Sequence, residues 1–141
     1  MMNDLELPIN ILKSSTNLAV VGLSRYAGKA AHDIPLLLAR KEYNVIGVNP
    51  FAMPSVDGVD VVERIADVEL EIDLLNVFRP SSDTDAIIDE ALERHELNGD
   101  VGCIWLQEGI TSKFGAEKCK EAGIEYIEDT CIYVVYQYLR L

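Results

Sequence analysis

Glycine, hydroxyl and basic residues follow a short apolar run near residue 20, in a pattern that could bind phosphate. The run of β-forming residues breaks at Gly22, and the chain then passes through a small polar loop before a helical pattern begins. Glycine lets the backbone approach a phosphate, the amino end of a helix adds a positive partial charge, and basic side chains neutralise the anion. An ordinary strand-to-helix turn that contains glycine is the alternative. The candidate phosphate-binding residues of this loop are Gly22, Leu23, Ser24, Arg25 and Lys29.

The spacing within this loop differs from two common nucleotide-binding motifs. Five residues separate Gly22 from Gly28, which is too many for a Walker A loop, and Ala30 replaces the hydroxyl residue that would bind Mg²⁺. Ser24 stands at the second glycine position of the G-x-G-x-x-G dinucleotide fingerprint. The loop therefore lacks the main signature of ATP hydrolysis, and other loops must identify the nucleotide.

The loop after the second apolar run reads Asn49-Pro50-Phe51. Proteins that bind NAD usually place an aspartate or glutamate here, where it accepts a hydrogen bond from the ribose 2′-hydroxyl. An amide does not repel a phosphorylated ribose, and Phe51 could lie against an adenine ring. These residues favour a nucleotide with an additional phosphate over NAD, with a plain turn as the alternative.

Two further loops carry polar residues that could contact a ligand. Phe78-Arg79-Pro80 follows the third apolar run, and Gln107-Glu108-Gly109 follows the fourth. A charged group such as Arg79 at the end of a buried strand requires a carboxylate or a ligand as its partner. Either a ligand or an ion pair between Arg79 and Glu108 would meet this need.

The cysteines and histidines do not suggest a metal centre or a disulfide framework. Three cysteines at unrelated spacings and two histidines fit neither a zinc site nor a set of paired thiols, so we expect no bound metal. Cys131 is expected at the start of a helix, where the dipole favours thiolate, although a buried and inert cysteine is the competing interpretation. Cys103 and Cys119 are interpreted as structural.

Apolar runs and helical periodicity alternate along the chain. Strands are predicted over 18–21, 45–48, 72–78, 101–106 and 124–127. Helices are predicted within 1–16 and over 30–41, from Ser81 or Ser82 to about Glu96, over 111–122, and from a cap at Asp129 or Thr130 to Leu139, with a weak helix over 61–66.

This alternation predicts an α/β fold. We expect a Rossmann-like, doubly wound, five-stranded parallel sheet in the order 3-2-1-4-5, with helices on both faces in three layers. Ligands of such sheets bind outside the carboxyl ends of the strands, here expected at the switch point between strands 1 and 4. The loops described above all follow strands and therefore lie at this edge.

Length and charge limit the possible partners. A chain of 141 residues fits one domain over 1–141, and a net charge of −12 disfavours nucleic acid and anionic lipid. The chain contains no apolar run long enough for a membrane span and no signal-peptide pattern, so we expect a cytoplasmic protein. The C-terminal segment 132–139 is apolar nearly all round, which predicts burial in the core or, alternatively, a homodimer contact.

Six short motifs in order resemble the single-domain CoA-binding proteins, which are related to the nucleotide-binding domain of the succinyl-CoA synthetase α subunit. The resemblance covers about residues 10–135. The motifs are Val20-Val21-Gly22-Leu23-Ser24-Arg25, Val48-Asn49-Pro50, Val77-Phe78-Arg79-Pro80, Trp105-Leu106-Gln107-Glu108-Gly109-Ile110, Ala122-Gly123-Ile124 and Asp129-Thr130-Cys131.

The resemblance implies a Rossmann-like fold that holds coenzyme A across the strand ends. In that arrangement the loop from Gly22 to Arg25 contacts the diphosphate, Asn49 and Pro50 border the adenosine, residues 78–80 flank the nucleotide, and residues 107–109 lie near the pantetheine. The chain ends without the second synthetase domain, so we expect binding of CoA or an acyl-CoA without catalysis. An NAD(P)-binding oxidoreductase or a redox-sensing protein is the alternative.

Overall fold

Short apolar strands alternate with helices to form a sheet covered on both faces. The computed structural model describes residues 2–141. The elements are α1 (Met2–Ser14), β1 (Asn17–Val21), α2 (Ala30–Lys41), β2 (Asn44–Val48), β3 (Ser55–Val56), β4 (Val59–Val62), a 3₁₀ turn (Ile65–Asp67), β5 (Leu74–Val77), α3 (Ser81–Asn98), β6 (Cys103–Leu106), α4 (Lys113–Ala122), β7 (Glu125–Ile127) and α5 (Ile132–Leu139).

The sheet is mostly parallel, as predicted, but its strand count and order differ from the prediction. Seven strands run in the order β3-β4-β2-β1-β5-β6-β7, and the β3–β4 hairpin is the antiparallel pair. β5 pairs with β1, with Leu18 opposite Leu74, whereas the predicted order places this strand beyond β2 at the sheet edge. The switch point therefore lies between β1 and β5, because β4 takes the place beyond β2.

The missed hairpin explains this difference. The weak helix predicted over 61–66 is wrong, since Val59 and Val61 are buried while Asp60 between them is exposed, which is the period of a strand. Asp57-Gly58 joins β3 to β4, and an Asp-Gly pair between apolar residues is a strong hairpin signal. A 3₁₀ turn at Ile65–Asp67 is what remains of helical structure in this region.

Two predicted helix caps are also corrected. Pro80 occupies the cap position of α3, so Ser81 is the first helical residue and neither Ser81 nor Ser82 is the cap. Cys131 precedes α5, whereas Asp129 and Thr130 lie outside the cap position. At α4, Ser112 accepts a hydrogen bond from the Gly115 amide, and Gly123 ends the helix at φ +75° as predicted.

The central strands are buried on both faces, which accounts for their continuous apolar sequences. Leu75 and Ile104 face the cluster beneath α3 and α4, whereas Leu74 and Trp105 face α1 and α5. Trp105 is fully buried and its indole N–H donates to the Thr130 oxygen at 2.8 Å, so it is a core residue.

Two of the cysteines lie in this core. Cys103 and Cys119 are buried, and burial raises the pKa of both thiols, that of Cys119 to about 11. Both therefore stay protonated near neutral pH, which agrees with their interpretation as structural residues.

The C-terminal helix packs on the sheet. Ile132, Val135 and Tyr136 of α5 are buried in the cluster that includes α1, whereas Val134 and Tyr138 are exposed. Core burial thus accounts for one side of the helix, and self-association through the other side stays a prediction. No helix within residues 2–141 is both long and apolar enough to cross a membrane.

Candidate functional site

Two adjoining clefts lie at the carboxyl ends of β1, β2, β4 and β5. The first has a volume of about 310 Å³ and the second of about 430 Å³. Both are lined by Gly22, Asn49, Phe51 and Arg79, so these residues form the ridge between them. The sheet order produces this meeting, because β1 lies between β2 and β5 and all three strands end at the same edge.

The two clefts differ in chemistry. The first has an apolar floor and a rim of mixed charge, while the second has three cations and no acidic residue among its lining side chains. The floor and rim of the first cleft include Val48, Pro50, Glu63, Arg64, Ile65, Asp83, Ile87 and Glu90. The second cleft is lined by Ser24, Arg25, Tyr26, Lys29, Ala31, Ala52 and Phe78 besides the shared residues.

Gly22 lies where the β1 and β5 loops touch. Its φ is +91°, and a Cβ atom there would lie 3.1 Å from both the Arg79 Cδ and the Phe78 carbonyl oxygen. Its amide donates to the Val48 oxygen at 3.0 Å. Glycine is thus required by backbone conformation and by space, and it lets the ends of three strands approach one another.

Leu23 is a predicted ligand contact whose side chain lies in the core. Its side chain is fully buried, in the cluster that contains Val20 and Leu36, and it does not line either cleft. Gly47 on β2 makes this possible, since a Cβ there would lie 2.5 Å from the Leu23 Cδ2. Any contact of Leu23 with a ligand would therefore come from its backbone.

Asn49 connects two loops rather than offering a free amide. Its Nδ2 donates to the Leu23 oxygen at 2.9 Å, and its Oδ1 accepts from the Phe51 amide at 2.9 Å. An aspartate could make the second bond but not the first, because a carboxylate has no donor. The amide after β2 is thus explained by loop geometry, and it holds Phe51, which is 83% exposed, at the ridge.

Arg79 emerges at the end of β5 and pairs with an acidic residue of α3. Its Nη2 lies 2.7 Å from the Asp83 Oδ2, one turn into α3, so the alternative pairing with Glu108 is wrong. Both side chains are about half exposed, which makes the pair weak. Arg79 reaches both clefts and can exchange this exposed partner for an anion.

The loop from Ser24 to Lys29 is held mainly through its backbone. The Ser24 amide donates to the Ala31 oxygen at 3.0 Å, and the Ser24 Oγ accepts from the Tyr26 amide at 3.1 Å. Ala31 is free to accept because the residue four positions later is Pro35, which lacks an N–H group. The Lys29 Nζ lies 5.6 Å from the centre of the Tyr26 ring, within cation–π range.

Replacing Pro35 with alanine should loosen this loop. The new amide at residue 35 would compete with Ser24 for the Ala31 oxygen, and losing a bond of about 1 kcal/mol gives roughly fivefold faster exchange of the Ser24 amide. Hydrogen exchange followed by NMR measures this rate. Pro8→Ala is the matched control, since Pro8 is also buried inside a helix but lies in α1. Equal Ser24 protection in both variants would contradict the role of Pro35.

The predicted residues after β6 lie apart from both clefts. Gln107 is buried, and its Oε1 accepts from the Ile132 amide at 3.2 Å, so it supports the start of α5. The Gly109 amide donates to the Asp129 Oδ1 at 2.7 Å, and Glu108 is exposed. Neither cleft is lined by Pro80 or by any of these three residues, and their contact with a ligand stays a prediction.

The residues that β4 and α3 bring to the first cleft are not among those predicted from the sequence. Arg64 and Ile65 follow β4, and Ile87 and Glu90 face them from α3. The Asp57-Gly58 hairpin signal could have revealed β4 and thus this wall of the cleft. Within residues 2–141, no group of three or more histidine, cysteine, aspartate or glutamate side chains could hold a metal ion.

The match to a known family agrees with this geometry. Residues 16–137 match the family described as CoA binding domain. The chain belongs to this CoA-binding family. Membership of this family supports CoA binding in general. The matched range contains every residue that lines the two clefts.

Relatives of this family member span nearly the same length. The uncharacterized protein YneT of Bacillus subtilis (strain 168) is 32% identical over 126 residues, covering 89% of each chain. A solved structure from Thermus thermophilus, described as cell-free ID.343, has a TM-score of 0.86 at 32% identity and covers 98% of this chain and 99% of its own. A hypothetical protein from Pyrococcus horikoshii OT3 shares the fold, with a TM-score of 0.87 at 21% identity over 97% of this chain and 92% of its own.

Proposed function

We propose that this protein binds coenzyme A or an acyl-CoA across the ridge between the two clefts, without a reaction of its own. One observation carries the proposal: in a chain of the CoA-binding family, Gly22, Asn49, Phe51 and Arg79 meet at the switch point of the sheet. Ligands of open α/β sheets bind at this point.

The charge distribution supports placing the diphosphate in the second cleft. The chain carries a net charge of −12, yet Arg25, Lys29 and Arg79 line this cleft, and no residue in its lining is acidic. A cleft lined by one sign of charge concentrates the opposite sign even on a protein of unfavourable net charge. The basic cleft is therefore the better place for phosphate groups.

The first cleft suits the adenosine part. Val48, Pro50 and Ile65 offer an apolar surface, and the exposed Phe51 ring can stack on a purine. Glu63 and Glu90 on the rim offer carboxylate acceptors for amino or hydroxyl groups. The adenosine would then lie on one side of the ridge and the diphosphate on the other.

Titration calorimetry with CoA, dephospho-CoA, NAD and NADP tests this proposal. We expect CoA to bind and Arg79→Gln to weaken binding about tenfold or more, because a charge-assisted hydrogen bond contributes about 1.5–3 kcal/mol. Arg40→Gln is the matched control, since it removes the same charge from the exposed end of α2. No measurable heat with CoA at millimolar concentration would refute the proposal, and tighter binding of NAD would favour the oxidoreductase alternative.

A further inference from the structure

A histidine buried beside the second cleft joins α2 to the β3–β4 hairpin. His32 lies in the first turn of α2 and is 6% exposed. Its Nδ1 lies 2.7 Å from the Asp33 Oδ1, and its Nε2 lies 2.9 Å from the Asp57 Oδ2. Asp57 is in the turn of the β3–β4 hairpin, so the ring spans from α2 to that hairpin.

The contacts indicate the protonation state of the ring. An ionised carboxylate only accepts hydrogen bonds, so both ring nitrogens must donate, and an imidazole with two donors is the imidazolium cation. The hydrogen bonds to Asp33 and then to Asp57 raise the pKa of His32 above its ordinary value of 6.5, although burial opposes them. The geometry of the two hydrogen bonds and the direction of the pKa shift therefore both favour the protonated ring.

The same cluster extends to the candidate phosphate loop. The Asp33 Oδ1 that faces His32 also accepts from the Gly28 amide at 3.1 Å. Gly28 precedes Lys29, which lines the second cleft, and Ala52 on the other wall precedes the hairpin. Through Asp33 and Asp57, the ring thus holds the loop on one side and the hairpin on the other.

We propose that protonated His32 is a positioning residue that holds the loop carrying Arg25 and Lys29 against the β3–β4 hairpin, so that CoA affinity depends on this proton. The inference rests on the proposed function, because it concerns regulation of the same site. When the proton leaves, one nitrogen of the ring becomes an acceptor facing a carboxylate, and that contact is lost.

The charged groups near the ring set the direction of the pH dependence. Asp33 from α2 and Asp57 from the hairpin contact the ring, while Arg25 and Lys29 of the loop and Asp60 of β4 are exposed. We call the two hydrogen bonds from the His32 ring to Asp33 and Asp57 the clamp. Because the pKa of His32 is higher in the folded protein, the clamp is complete below pH 6.5, and it is lost as the pH rises through the raised pKa. CoA affinity should therefore fall on the alkaline side.

Calorimetric titration with CoA at several pH values from about pH 7 to about pH 9 tests the inference. This range lies above the second ionisation of a phosphate near pH 6, so the charge of the ligand's phosphate groups changes little across it. We expect the affinity of the wild type to fall about tenfold, the scale of one charge-assisted hydrogen bond. His32→Gln should bind about tenfold more weakly at pH 7 and show no such fall. The control His95→Gln, which alters a histidine outside both clefts, should follow the wild type.

A second measurement separates positioning from folding. Asp57→Asn keeps a residue type that tolerates the φ of +46° at this turn but removes one carboxylate. NMR titration of the His32 ring protons, without ligand, should show a lower midpoint in Asp57→Asn than in the wild type. This readout stands even if His32→Gln fails to fold.

The outcomes are distinguishable. CoA binding with equal affinity across the pH range and in Asp57→Asn would overturn the clamp and leave the proposed function intact. If the protein did not bind CoA but the titration midpoint of the His32 ring shifted as expected in Asp57→Asn, the proposed function would be refuted. The contact between His32 and Asp57 would still be supported. An unchanged midpoint in Asp57→Asn would refute the clamp directly.

Discussion

Replacing Arg94 with methionine should lower the free energy of unfolding by about 3–5 kcal/mol, because it leaves a buried carboxylate without its partner. Arg94 on α3 and Asp100 form an ion pair at 2.8 Å, and both side chains are almost fully buried. All five N–H groups of Arg94 are used, two of them on Asp100 and three on backbone oxygens of Ile65, Val68 and Leu70. Chemical denaturation monitored by circular dichroism measures the loss.

The position of this network makes the effect large. Asp100 also accepts from the Ile72 amide at 2.9 Å, so the pair holds the whole connection between β4 and β5. Methionine can fill much of the volume but satisfies none of the three carbonyls. Ile65 at the start of this connection lines the first cleft, and the variant should therefore weaken CoA binding as well.

An exposed lysine provides the matched control. Lys118→Met removes a charge from a pair with Glu121 at 4.0 Å on the surface of α4, and its effect should stay within about 0.5 kcal/mol. Adding Asp100→Asn to Arg94→Met should recover part of the lost stability, because it removes the unpaired charge. Equal stability of Arg94→Met and Lys118→Met would contradict the role of the buried network.

The pH dependence provides an independent check on the same pair. Burial alone would raise the pKa of Asp100, but the hydrogen bonds from Arg94 and the Ile72 amide outweigh it and hold the pKa below its ordinary value of 3.8. This stabilisation is present above 3.8 and is lost as the pH falls through the lower value of the folded protein. In Arg94→Met the unpaired Asp100 carboxylate gains a proton more readily. The difference in unfolding free energy between the wild type and Arg94→Met should therefore narrow as the pH falls.

Local patterns were sufficient for the elements whose burial comes from their own sequence. The apolar run 18–21 predicted β1, and the helical spacing from residue 30 predicted the bounds of α2, because each pattern extends over enough residues to be distinctive. β3 has two residues and β4 four, and each requires its partner for burial. Since the strand order depends on β4, the missed hairpin also misplaced the switch point.

The site was partly predictable for a similar reason. Loops that follow parallel strands meet at one edge, so Gly22, Asn49, Phe51 and Arg79 could be placed together from the sequence. Contacts between distant segments could not be predicted from the sequence, because no local pattern identifies the residues that make them. Arg94 resembles any charged residue of an exposed helix until the connection between β4 and β5 covers it, and Pro35 gains its effect from an oxygen that Ser24 reaches across the loop.

Gly22→Ala should weaken CoA binding by about tenfold, equivalent to about 1.4 kcal/mol, and should lower the unfolding free energy by about 1–3 kcal/mol. The added Cβ meets the Phe78 oxygen and the Arg79 side chain, and it must separate the β1 loop from the β5 loop at the ridge of the two clefts.

Gly123→Ala separates the cost of the left-handed backbone conformation from the steric conflict that the added Cβ causes at Gly22. Gly123 ends α4 at φ +75° with open space around it, so alanine there imposes a left-handed backbone conformation without a steric conflict and far from the ridge. It should cost about 1–2 kcal/mol of stability and leave CoA affinity unchanged. Calorimetry and denaturation of both variants measure the two quantities. If Gly22→Ala bound CoA as tightly as Gly123→Ala, close contact of the β1 and β5 loops would not be a requirement for binding, and the ligand would have to lie elsewhere on the strand ends.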